Sequence, residues 1–388
     1  MKSCSQYIFG GLPEIRKKNC ISFALVWLTM AQLALCADTG SGKLDQIEEH
    51  QSSTVIETQD IRNQANSGVV LLYHHVSTHT PPSTSISPED FRAHLEYLRE
   101  NSFSVLPLPE MMDKIRQQLP LPDRAVAITF DDGYISIYEN AFPLLQEFSM
   151  PFTLFLSTNP IDNNQPGYLN WDQVRELSAA GVQIANHLVS HPYMLSKEEG
   201  ENDQAWLARL RQELLDAEAT IKRETGQTHR TLAYPYGEFD PAIKAMIEAE
   251  GFIGFAQNSG AIGYQSDLLA LPRFPLASIY ANLETARIKL DSLAFNVQII
   301  EPQSPVTRET APSVTLRFDE GPYDRDRIAC YGNGQPLIMN WLETDTQAVK
   351  LTPEISFSSR RWRYICTAPM PDTSRFFWYS VQWINPGS

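Results

Sequence analysis

The chain has 388 residues, more than one ordinary domain needs, so two domains plus additional segments are expected. Apolar residues make up 43% and charged residues 20%, the balance of a globular protein rather than a disordered or fibrous one. A formal net charge of −15 argues against nucleic acid or an anionic membrane surface as the partner.

Arg16, Lys17 and Lys18 precede an apolar stretch over residues 21–37. A basic flank, an apolar core and small residues at its end read as a secretory signal over 1–37. The protein is therefore expected to be exported, to the periplasm, the cell envelope or the medium. An uncleaved anchor is one alternative, because ~17–25 apolar residues span a bilayer. Leu33-Ala34-Leu35-Cys36 leaves lipoprotein acylation at Cys36 as another. Residues 38–67 are polar and aperiodic, the composition of a flexible linker.

From Gly68 short apolar runs alternate with helical stretches. Strands are expected over 69–73, 104–106, 125–130, 152–156, 182–185, 231–234, 252–256 and 269–271. Helices are expected over 139–148, 171–180, 203–225 and 240–250. Another is opened by Ser87-Pro88-Glu89-Asp90, with Phe91, Leu95 and Leu98 on one face. This alternation implies a mainly parallel sheet, and about eight strands suggest a (β/α) barrel with its chemistry at the C-terminal strand ends. The barrel domain is placed at 68–296.

After residue 296 the helices stop. Residues 301–312 have a linker composition, and short strands follow to residue 388. Cys4, Cys20 and Cys36 lie in the leader, so Cys330 and Cys366 are expected to form one disulfide outside the cytosol. Trp341 lies about a dozen residues after the first of these, and Tyr364 two before the second. That order suggests an immunoglobulin-like β-sandwich over 297–388. Trp341, Trp362, Trp378 and Trp383, with the run Arg360-Arg361-Trp362-Arg363, leave glycan contact through this domain open. The alternation of Phe377, Tyr379, Val381 and Trp383 favours a plain sandwich core with surface arginines.

Three stretches carry chemistry. Thr129-Phe130-Asp131-Asp132-Gly133 puts two carboxylates at the end of a buried strand, where a cation would relieve their repulsion. A turn with no further role is the bland reading. His187 and His191 lie four apart after another strand, and with Asp132 they offer three ligands of borderline hardness. That set suits one divalent ion, zinc first, with cobalt, nickel or iron as alternatives. Tyr234-Pro235-Tyr236-Gly237 reads as a strand running into an aromatic turn, able to line a groove and aim a backbone N–H at a reacting oxygen.

Together these motifs resemble the polysaccharide deacetylases, the NodB-like carbohydrate esterases, over residues 68–295. The resemblance implies the family's distorted (β/α) barrel and a metal held by Asp132, His187 and His191. It implies Asp131 as catalytic base and the Tyr236 N–H as oxyanion donor. The family's usual arginine before Pro-Tyr is Ala233 here, and no histidine follows His229. Tyr73-His74-His75 at the end of the first strand resembles the poly-β-1,6-N-acetylglucosamine deacetylase branch, in which an early histidine supplies the acid. His74 takes that role by the resemblance, and a packed strand-end histidine is the alternative. Arg273 would replace the missing arginine beside Asp131. Tyr134, Trp171 and Tyr236 would contact substrate, although Trp171 could equally cap its helix.

The expected activity is metal-dependent removal of N-acetyl groups from an acetylated amino-sugar polysaccharide. An O-acetyl esterase of the xylan type is the alternative within the fold. A glycan-binding barrel without catalysis is the alternative outside it.

Overall fold

The computed structural model describes residues 66–387, which lie within one compact unit. The expected leader over 1–37 and nearly all of the 38–67 linker fall outside the described residues. No helix among the described residues is long and apolar enough to cross a membrane.

The sheet opens with β1 (Gly68–Tyr73). Two short strands, β2 (His75–Val76) and β3 (Ser85–Ile86), pair only with each other. The remaining barrel strands are β4 (Ser104–Val105), β5 (Ala125–Phe130), β6 (Thr153–Leu156), β7 (Gln183–Asn186), β8 (Thr231–Ala233), β9 (Ile253–Phe255) and β10 (Phe274–Pro275). They run parallel in the order β10-β1-β5-β6-β7-β8-β9. β4 pairs with the first two residues of β5, and β6 with its last two. The ring does not close with a continuous ladder. Single bridges, Phe255 to Leu271 and Gly68 to Ile262, join the last segments. The result is a distorted (β/α) barrel.

β1 and β5 are buried along their whole length, as central parallel strands covered on both faces must be. Side chains alternate between two apolar clusters. Val70, Ala127, Phe155, Ala185, Ala233 and Phe255 belong to one, while Val69, Leu71, Val126, Ile128 and Leu154 belong to the other. Period-two alternation then puts Asp131 on the face of Ala125, Ala127 and Thr129. The helices follow local rules. The Pro88–Glu100 helix is capped by Ser87 and buries Phe91, Leu95 and Leu98. The Asp203–Thr225 helix begins at the Asn202 cap and ends on left-handed Gly226.

One strand differs from expectation. Residues 269–271 contribute a single bridge through Leu271, and the strand beside β1 is β10 instead. Pro272 has no N–H to carry a ladder onward, so the chain re-enters the sheet two residues later.

Two further sheets form the C-terminal part. The first contains β11 (Ser292–Ala294), β14 (Ala329–Gly332), β15 (Gln335–Pro336), β18 (Arg361–Pro369) and β19 (Phe376–Ile384). The second contains β12 (Val297–Glu301), β13 (Val314–Phe318), β16 (Ile338–Trp341) and β17 (Ala348–Thr352). Leu316, Val349 and Leu351 of the second sheet share one core with Tyr364, Val381 and Trp383 of the first. The sandwich is present, and Cys330 and Cys366 are disulfide-bonded. The bond departs from the immunoglobulin pattern, because Cys330 and Cys366 face each other on neighbouring strands of one sheet. It ties β14 to β18 rather than pinning the two sheets together. The Tyr364 hydroxyl, in turn, donates to the Pro312 carbonyl at 2.7 Å and anchors the linker to the core.

Reducing the Cys330–Cys366 bond is expected to destabilise the protein by about 2–4 kcal/mol. Denaturant titration with and without reductant measures it. An unchanged midpoint would mean the sandwich does not depend on this staple.

Candidate functional site

β5 delivers Asp131 to the barrel mouth, where its N–H donates to the Tyr73 carbonyl at 3.0 Å and keeps the pairing to β1 going for one more residue. Asp132 then turns into the left-handed region (φ 74°), followed by Gly133 (φ 86°). A Cβ on Gly133 would sit 3.3 Å from the Leu156 Cβ, so the turn is pressed against β6. This reversal brings two neighbouring carboxylates to one rim instead of opposite faces.

β7 delivers His187 in the same way. Leu188 (φ 64°) and His191 (φ 55°) fold the following loop back over the strand end. Asn186 accepts from the Leu188 N–H at 2.9 Å. Glu213, from the Asp203–Thr225 helix, accepts from the N–H groups of Val189 at 3.0 Å and Ser190 at 2.9 Å. A glutamate far away in sequence thus shapes the loop that carries His191.

Asp132, His187 and His191 converge, with their ligand atoms all within 4.8 Å of one another. The Asp132 Oδ1 lies 3.1 Å from His187 Nε2 and 3.3 Å from His191 Nε2. His187 Nδ1 is 2.7 Å from the Ala233 carbonyl, which can only accept, so Nδ1 carries the proton. In the neutral ring, Nε2 then presents a lone pair to a carboxylate oxygen. Both atoms are buried without a hydrogen-bond partner. Two facing lone pairs in a buried site need either a shared proton or a cation between them, and this donor set fits a divalent metal with a position left open.

Asp131 has a different partner. Arg273 donates to both of its oxygens at 2.7 Å, and both side chains are fully buried. Arg273 also donates to the Ala256 carbonyl at 3.0 Å and to Thr129 Oγ1 at 3.3 Å, which fixes the fork. Burial alone would raise the Asp131 carboxyl; the Arg273 guanidinium, together with the His187 and His74 imidazoles, more than offsets this and holds it below the usual carboxylate range.

His74 is half-buried at the end of β1, near enough to both aspartates for its charge to favour their ionised forms. His75 is the packed member of the pair. Its ring stacks on Tyr134 at 3.7 Å, and burial pushes its imidazole down to about 4. Tyr134 in turn leans on Tyr168. The Tyr236 ring meets His191 edge-on at 4.5 Å and stacks on Tyr193 at 4.0 Å. Trp171 donates its indole N–H to Asp162 and packs against the helix-side cluster; the cap of its helix is Asn170.

Glu213, Tyr193 and Glu238 also belong to this region, and sequence reading passed over all three; two sandwich arginines join them. Arg360 and Arg361, expected as surface charges, reach across to Glu238. Tyr193 alone carried a local signal, since it follows His191-Pro192 directly.

A family model described as polysaccharide deacetylase matches residues 118–253. The chain is 27% identical to the poly-beta-1,6-N-acetyl-D-glucosamine N-deacetylase of Staphylococcus epidermidis, over 56% of this chain and 81% of that protein. It is 25% identical to a putative polysaccharide deacetylase of Bacillus subtilis, over 53% of this chain and 69% of that one. Among solved structures, a Streptococcus pyogenes deacetylase in complex with acetate shares the fold, at TM-score 0.52 and 20% identity, over 58% of this chain and 98% of that one.

Substituting Asp132→Ala, His187→Ala or His191→Ala should each weaken zinc binding by more than the ~10–100-fold that loss of an outer hydrogen-bond partner costs. Calorimetric titration of the metal-free protein reads this directly; unaltered affinity in any one variant removes that residue from the ligand set. Arg273→Met should cost about 3–5 kcal/mol of stability by stranding a buried carboxylate. The double variant Asp131→Leu/Arg273→Met should recover most of that loss. Equal stability of all three proteins would show that the pair is not coupled.

Proposed function

The chain carries a polysaccharide deacetylase domain, and from that premise we propose that it hydrolyses N-acetyl groups from a poly-N-acetylglucosamine-like polysaccharide. It is then an enzyme acting on a carbon–nitrogen bond other than a peptide bond, working on glycan outside the cytosol. The observation that carries the reading is the convergence of Asp132, His187 and His191 beside an Asp131 that has its own counter-ion.

Asp132, His187 and His191 would hold one divalent ion, and zinc suits two imidazoles and a carboxylate. When bound, the ion supplies Lewis acidity toward water and the acetamide carbonyl. Asp131, kept ionised by Arg273, accepts the proton of the attacking water. Arg273 orients it, because a bidentate fork leaves the carboxylate little freedom to rotate. The Tyr236 N–H donates to the carbonyl oxygen as negative charge develops there. His74 gives a proton to the departing nitrogen, since an amine anion is not a viable leaving group in water. The rings of Tyr134, Tyr236 and Trp171 offer apolar faces for the sugar.

The same assignment separates amide from ester cleavage. His74→Ala should lower amine release from acetylated glucosamine oligomers by ~10²–10⁴-fold, yet leave hydrolysis of activated acetate esters within a few fold. Free amine and free acetate are measured together on a panel of acetylated glycans. Equal amounts are expected from the wild type. Acetate without amine would establish an O-acetyl esterase, and full amine release by His74→Ala would remove His74 as the acid.

A further inference from the structure

Residues 235–238 make a tight turn in which Tyr236 (φ 59°) and Gly237 (φ 70°) both lie in the left-handed region. Tyrosine rarely adopts that conformation, and it persists where the surroundings impose it. The turn is pressed closely from one side, since a Cβ on Gly237 would fall 2.8 Å from the Gln257 Cβ. Its internal bonds run from the Gly237 N–H to Tyr234 at 2.8 Å and from the Glu238 N–H to Pro235 at 3.2 Å.

The C-terminal sandwich grips three consecutive residues of this turn. Arg361 Nη1 donates to the Tyr236 carbonyl at 3.4 Å. Gln382 Nε2 donates to the Gly237 carbonyl at 2.6 Å. Arg360 donates to both oxygens of Glu238, at 2.7 and 2.8 Å, and Arg361 adds a contact at 3.2 Å. The Glu238 side chain is fully buried, so its charge has to be paired, and both partners come from the sandwich. The same arginines lie over the aromatic rings, Arg360 4.6 Å from the Tyr193 centroid and Arg361 5.2 Å from that of Tyr236. Contact therefore runs unbroken from β18 and β19 through Tyr236 to His191.

We propose that the C-terminal sandwich is the positioning element of the Tyr236 turn. Arg361, Gln382 and the Arg360–Glu238 pair set the backbone donor without touching substrate. The proposal rests on the reading of the Tyr236 N–H given above. It explains why two arginines in an otherwise ordinary β-domain face a buried glutamate of the barrel.

Arg361→Gln and Gln382→Leu keep the Arg360–Glu238 pair and so preserve folding. Hydrogen–deuterium exchange on the full chain should show residues 235–240 exchanging about tenfold faster or more in both variants, with 129–134 and 186–192 unchanged. On acetylated glucosamine oligomers kcat should fall about tenfold, less than the ~10²–10³ of a donor lost outright, with KM within about twofold. Arg361→Lys, which keeps a donor, should recover part of both effects. Unchanged exchange overturns the proposal whatever the activity. Faster exchange with unchanged kcat upholds the positioning by the sandwich and overturns the catalytic role of the Tyr236 turn. Exchange requires no turnover. A wild-type chain inactive on every acetylated glycan would therefore count against the deacetylase reading, while the exchange data alone would decide the positioning.

Discussion

Three electron-rich atoms meeting at the ends of β5 and β7 are the constraint around which the barrel mouth is organised. A carboxylate oxygen of Asp132 faces the Nε2 atoms of two imidazoles at hydrogen-bond distance. One of those imidazoles has already committed its proton to the Ala233 carbonyl. Left to themselves, such atoms would spread apart or take up protons. The left-handed turns at Asp132, Leu188 and His191 instead bend the backbone so that they meet. Backbone strain of this kind, ~1–3 kcal/mol per residue, persists where the surroundings return the cost, and a divalent cation would do so.

Division of labour between adjacent carboxylates follows from their different partners. Asp132 is turned toward the imidazoles. Asp131 continues the inward face of β5 and meets Arg273, which enters just before β10, two strands away across β1. A single charge type thus acquires two environments within one peptide unit. Arg273 reaches its place only because the last strand begins after Pro272 and pairs with β1 rather than β9. The irregular closure of the barrel and the pairing of Asp131 are consequently one structural fact.

Much of this was legible in the sequence, for reasons that are local. β5 opens with four apolar residues, Ala125 to Ile128, continues through Thr129 and Phe130, and the aspartates follow directly. His187 and His191 sit four apart after another short strand. The Asp203–Thr225 helix is bounded by an Asn cap and a glycine. Less legible were features whose cause lies elsewhere in the chain. The Leu108–Arg116 helix opens on Pro107 with no side-chain cap, and the Leu283–Leu290 helix is short and weakly amphipathic. The two cysteines revealed their pairing but not that their strands are neighbours in one sheet. Glu238 and Arg360 are 122 residues apart, and nothing in the Arg360-Arg361-Trp362-Arg363 run points to a glutamate of the barrel. Only the docking of the sandwich onto the barrel gives that pair meaning.

X-ray absorption at the zinc edge of the zinc-loaded wild-type chain tests the central claim most directly. Two imidazole nitrogens and light oxygen scatterers at ~2.0–2.1 Å are expected around a single ion. A spectrum without imidazole scattering, or with sulfur in the coordination sphere, would contradict the site described here.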